Sequence, residues 1–157
     1  MTATDPRVLG PDLLPTPFTA DEIRDATGAG TTIRLRTEQP DGTIGERVNR
    51  FRQTDAEGAT LDRWAADDPQ SLVSSRVTWL DLQAHAAFPA DRTTVTLETL
   101  ETPFGSVECR RYDTADEPGG PIVSFWFSLA HPGMPVRFEV PVGDGVMRTT
   151  VLEITRD

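Results

Sequence analysis

The feature that most constrains this chain is a period-two rhythm that recurs along most of its length. In "TTIRLRTE", residues 31 to 38, Ile33 and Leu35 point one way and Arg34 and Arg36 the other. Strict alternation of this kind marks a strand with one buried and one solvated face. "ERVNRFRQ", "ATLDRWA" and "SLVSSRVT" repeat the pattern, with "QPDGTIG" and "DAEG" as turns between the first three. It resumes in "TTVTLETLE", "SVECRRYDT", "PIVSFWFSLA", "PVRFEVPV" and "VMRTTVLEIT", punctuated by "TPFG", "DEPGGP", "HPGMP" and "GDG". Turns this short make sequential strands antiparallel neighbours. A sheet of about nine strands must curl or close, because a flat one leaves long adhesive edges.

Two segments break the rhythm. In "FTADEI", Thr19 and Glu22 have the spacing of a capping box, and Phe18 and Ile23 that of a hydrophobic staple. A short helix is predicted over residues 20 to 27, with Gly28 as its stop. "TWLDLQAHAAF", residues 78 to 88, carries Trp79, Leu82 and Ala86 at helical spacing and is stopped by Pro89. Residues 1 to 17, rich in Pro, Gly and Asp, are read as an irregular arm with Leu13 and Leu14 tucked onto the body. Residues 18 to 157 form one domain. The fold class expected is α+β: a large curved antiparallel sheet, a half-barrel of about nine strands, with a helix in its concave side and a short N-terminal helix. Trp79 and Phe88 are expected to face the sheet and to meet aromatics of "SFWFSL" or "PVRFEV".

The turns and strands of "TPFGSVECRRYDT" and "FWFSLAHPGMPVRFEV" resemble those of the bacterial lipoprotein-carrier half-barrel superfamily and its uncharacterised relatives. The resemblance covers roughly residues 93 to 155. It implies a curved antiparallel sheet with helices in the concavity and, as in some members, carriage of lipid or other apolar ligands.

Charge and cysteine usage narrow the function classes. The net charge is −10, and all 15 basic residues are arginine. That balance argues against nucleic acid as a general partner, since phosphate binding needs a concentrated basic surface. A single cysteine excludes an internal disulfide framework. No secretory signal pattern and no run of transmembrane length is read, so a soluble cytoplasmic protein without membrane insertion is expected.

The chemistry-bearing residues are sparse. On a strand, Cys109 shares its side with Val107 and Arg111 and has no neighbouring base, so it reads as a small buried hydrophobe. His85, on the middle helix, reads as partly buried, and His131 as a turn residue. Neither pairs with Cys109 at metal-ligand spacing, and no metal or cofactor is expected. "TGAGTT" lacks the lysine and spacing of a phosphate loop, and Asp67 and Asp68 read as a solvated loop.

Two sets of residues remain as candidate ligand contacts. Arg34, Arg36, Arg47, Arg50, Arg52 and Arg63 lie on consecutive strands. They are either an anion site or an exposed face cross-paired with Glu38, Glu46 and Asp62. Trp64, Trp79, Phe125, Trp126, Phe127 and Phe138 must largely fill the core, with one or two lining a groove. The ligand contacts singled out are Trp64, Trp79, Phe125, Phe127, Phe138, Arg34, Arg36, Arg50 and Arg52. The function expected is a non-catalytic binding or interaction domain for a small apolar, amphipathic or anionic ligand held in the concave face. The alternatives are a small enzyme using the same concavity and a structural subunit, such as a homodimer, pairing through a sheet edge.

Overall fold

The computed structural model describes residues 5–156. Nine antiparallel strands form one sheet: β1 (Thr31–Glu38), β2 (Ile44–Thr54), β3 (Gly58–Ala65), β4 (Asp68–Thr78), β5 (Thr93–Thr102), β6 (Gly105–Thr114), β7 (Val123–Ser128), β8 (Arg137–Val142) and β9 (Gly145–Thr155). Their order is β4-β3-β2-β1-β9-β8-β7-β6-β5. Two meanders, β1 to β4 and β5 to β9, are therefore zipped together by the β1–β9 ladder. Two short helices, α1 (Ala20–Ala26) and α2 (Trp79–Ala84), complete an open α+β half-barrel.

The topology itself demands curvature. The chain leaves β4 at one edge of the sheet and enters β5 at the other. Eight strand spacings of a flat sheet span about 38 Å. The intervening segment holds a helix, a tight turn and a 3₁₀ turn, so its reach is at most about 35 Å. Only a curled sheet lets that strap cross. The strap's contacts mark the concave side: Trp79 stacks on Phe51 of β2, while Phe88 lies 5.2 Å from Tyr112 of β6 and 5.1 Å from Phe125 of β7, centroid to centroid. β5 also approaches β9, although three strands separate them in the sheet.

Local devices set the helices. The Thr19 side chain accepts from the Glu22 N–H, and the Glu22 carboxylate accepts from the Thr19 N–H, which closes the capping box. Phe18 and Ile23 are both buried, as a staple requires. The helix ends at Ala26 with Thr27 as its C-cap. α2 is shorter than its periodicity suggests. It stops at Ala84, and residues 85 to 88 peel away so that the Phe88 carbonyl accepts from the Leu14 N–H. The N-terminal arm thus docks onto the strap, and Gln83 fixes it there. The buried Gln83 side chain accepts from the Ala20 N–H and donates to the Pro6 carbonyl and to Thr16 Oγ1.

Several expectations need correction. Trp79 is buried, but its aromatic partner is Phe51 and its indole N–H donates to the Asp55 carbonyl at 2.8 Å. The strap enters over β2 to β4 and reaches the "SFWFSL" aromatics only at Phe88. Asp68 is not in a loop: it opens β4 and pairs with Ala65, leaving a two-residue turn. His85 is exposed, because the C-terminal end of α2 tilts its cap toward solvent.

Candidate functional site

The cross-strand register sorts every candidate onto one of two faces. Ile33, Phe51, Phe125 and Phe138 belong to the helix-bearing side. Arg34 pairs with Val48 and Glu153, and Val48 pairs with Trp64, all on the opposite side.

Between the helices and the sheet lies a cavity of about 310 Å³. Ile23 and Ala26 of α1, Leu82 of α2 and Ala86 just beyond it form its roof. Its floor is Ile33, Phe51, Phe125, Phe127, Phe138 and Ile154, contributed by both meanders. The loop from Ala130 to Pro135 closes one end. Among the described residues lining it, the ionisable ones are His85, His131 and Arg156. Among the described residues no carboxylate lines it, in a chain with 25 acidic residues.

These three groups are placed by different devices. His85 caps α2, donating its backbone N–H to the Asp81 carbonyl. His131 Nδ1 lies 3.1 Å from Ser128 Oγ, and its ring meets Phe104 edge-on at 5.4 Å. Arg156 donates to the carbonyl of Ala26 at the end of α1. Such a mouth suits a negatively charged group: a guanidinium, two imidazoles and helix C-caps too short to oppose it.

Of the residues singled out from the sequence, Phe125, Phe127 and Phe138 line this cavity. Trp79 is packed beside Phe51 and does not line it. Trp64 and the arginines Arg34, Arg36 and Arg50 lie on the far face. Arg47 and Arg63 pair with Leu35 and Asn49 and so fall on the helix-bearing side. The far-face arginines are largely cross-paired with acids. Arg34 reaches Glu46 at 3.8 Å and Glu153 at 3.6 Å, Arg36 reaches Glu46 at 3.5 Å, and Arg52 reaches Asp62 at 2.9 Å. Glu153, at the opposite end of the chain, takes a place that the sequence suggested for Glu38.

Cys109 is fully buried in β6, where loss of hydration pushes its thiol up to about 11. A thiol held neutral in this way is a poor nucleophile at neutral pH. No cluster of three metal-ligating side chains occurs among the described residues. His85, His131 and Arg156 are the site residues that sequence reasoning missed. All three sit in caps, loops or just past a strand end, and only the fold brings residues 85, 131 and 156 to one opening.

The chain matches no known family model and no curated relative. Among solved structures it is similar to a Bacteroides fragilis protein described as exported and of YmcC-like fold. The likeness is 15% identity and a TM-score of 0.43, covering 83% of this chain and 97% of that one.

Proposed function

We propose that this chain is a non-catalytic binding domain that holds a small amphipathic anion beneath its two helices. The observation that carries the reading is the cavity of about 310 Å³, apolar in its depth, whose ionisable lining among the described residues is His85, His131 and Arg156. A pocket that is mostly hydrophobic with a few convergent polar groups is the usual form of a small-molecule site. Cavities of ~150 Å³ accept benzene, so this one has room for about a dozen heavy atoms. An acyl chain of medium length with a carboxylate at the mouth fits both the volume and the charge. The resemblance of residues 93 to 155 to the lipoprotein-carrier half-barrels supports the same reading.

Native mass spectrometry of the purified protein should show a bound species of a few hundred daltons or less. Titration with decanoate, followed by backbone NMR, should give saturable shifts in the strap and in β7 and β8. Phe138→Glu places a charge in the floor and should weaken the binding about tenfold or more. An empty protein whose spectrum decanoate leaves unchanged would remove the proposal.

A further inference from the structure

The face opposite the helices carries a group of unsatisfied donors, apart from the cavity. One cross-strand row runs Arg36, Thr150, Arg137, Trp126, Arg111 over β1, β9, β8, β7 and β6, each residue directly paired with the next. Trp126 is 4% exposed, and its indole Nε1 is buried with no partner among the described residues. Arg137 Nε and Arg36 Nε are buried and unpartnered as well. Three orphaned donors in one row are unusual. A buried donor without an acceptor costs about 1–3 kcal/mol, so native proteins rarely leave even one.

The charges of the row are unequal in kind. Arg111 is pinned by Glu98 at 3.2 Å and Asp113 at 3.0 Å, and its guanidinium lies 4.7 Å over the Trp126 ring. Arg36 holds Glu46 through a terminal nitrogen, leaving its Nε without a partner. Arg137 has no ion pair or hydrogen bond from its guanidinium among the described residues, although Glu139 stands two residues away. Glu139 is taken by Arg148, whose Nε lies 2.6 Å from it. The row therefore holds one uncompensated cation beside a buried indole N–H. Both are donors only. What satisfies such a pair is an acceptor with more than one oxygen and a negative charge.

We propose that this row is an oxyanion site. Arg137 and the Trp126 indole bind a carboxylate or phosphate group, Arg36 flanks it, and Arg111 holds the Trp126 ring in place. An arginine fork with a second donor alongside is the geometry that recognises planar or tetrahedral oxyanions. The site is independent of the apolar cavity, since its residues point away from the helices.

The test is an NMR titration read at the indole N–H signals. The chain has three tryptophans, so three such signals arise, and Trp126→Phe identifies one by deletion. The Trp79 signal is an internal control, because that N–H is bonded to the Asp55 carbonyl. Inorganic phosphate and sodium acetate are titrated separately, with sodium chloride at matched ionic strength as a blank. The expected result is a saturable shift of the Trp126 signal with one of the two oxyanions, at a dissociation constant of ~1 mM or tighter. The better anion identifies the group. Arg137→Gln should weaken that binding about tenfold, and Arg36→Gln by less. Should Arg137→Gln fail to fold, Arg137→Lys keeps the charge, loses the Nε donor and should still bind more weakly than the wild type. A Trp126 signal that responds to neither oxyanion, or that shifts equally in chloride, overturns the proposal. So does equal affinity in the wild type and a folded Arg137 variant.

Discussion

Cys109 shows how far a single residue can be read from its neighbours. Alternation in "SVECRRY" places it beside Arg111 and away from Arg110 and Tyr112, and the register agrees: Cys109 pairs with Ser128, Tyr112 with Phe125. The alternation could not show that the thiol is fully inaccessible, although it lies on the face away from the helices. Burial raises its pKa to about 11, and the nearby Glu98 charge adds to the shift. The thiolate is therefore absent at neutral pH. Iodoacetamide should leave Cys109 unmodified in the native protein and label it only after denaturation. Cys109→Ser exchanges a weakly polar group for a hydroxyl in the same space and should cost no more than about 2 kcal/mol in denaturant unfolding. Rapid native alkylation at neutral pH would contradict this account. The histidines were less legible. Their exposure and company depend on where α2 ends and how the 130 to 135 loop folds back, and neither is encoded within a few residues of them.

At the scale of elements, the β2–β3 turn is the best-defined junction. Asp55 Oδ1 accepts from the Glu57 and Gly58 N–H groups, and both Asp55 carboxylate oxygens accept from Arg76 Nη2, at 2.7 Å each. Hydrogen bonding by Arg76 is the largest cause that holds the Asp55 carboxyl at about 2, against an ordinary 3.8. The sign of the linkage follows: the charged form is favoured by folding. The stabilisation is complete above pH ~4 and is lost as pH falls through ~2. Asp55→Asn should lower the melting temperature at neutral pH and should narrow its gap from the wild type between pH 4 and pH 2. Because the pair is exposed, the gap should also shrink in high salt. A gap that is constant with pH would show that Asp55 acts only through its turn geometry. The next residue in this junction has no freedom at all. A Cβ on Gly58 would lie 2.1 Å from the Val77 carbonyl oxygen and 2.9 Å from Thr78 Cα, both backbone atoms of β4. Gly58→Ala must separate β3 from β4 or shift the entry of α2. It should destabilise the fold by more than the ~1 kcal/mol typical of point substitutions in general, and a neutral effect in urea unfolding would refute the tight approach. α1 was legible to within one residue because its cap, staple and stop are all local. The end of α2 was not, since it is decided by the Leu14 N–H and the arm, some seventy residues earlier.

On the scale of the whole molecule, the strap from residue 79 to residue 92 decides the shape. Strand count and short turns were enough to indicate a curled antiparallel sheet. They did not indicate that two meanders meet at β1 and β9, because edge choice between distant strands leaves no local trace. That choice is what assembles the cavity floor from β1, β2 and β7 to β9, and what carries Arg137 of "PVRFEV" to within two strands of Arg36. Phe88 is where the strap grips the second meander. It is 7% exposed and contacts Tyr112, Phe125 and Phe127 at once. Trp79 grips the first meander through Phe51. Removing one grip leaves the β1–β9 ladder as the main tie between the halves, so the sheet should open on its concave side. Phe88→Ala should cost about 3–5 kcal/mol from the vacated volume. It should also loosen the cavity, because Phe125 and Phe127 belong both to the Phe88 cluster and to the cavity floor. Amide hydrogen exchange should then quicken in the strap and in β7 more than in β2 and β3. A loss below about 1 kcal/mol, or exchange that rises uniformly across all nine strands, would mean that the strap follows the curvature of the sheet and does not hold it.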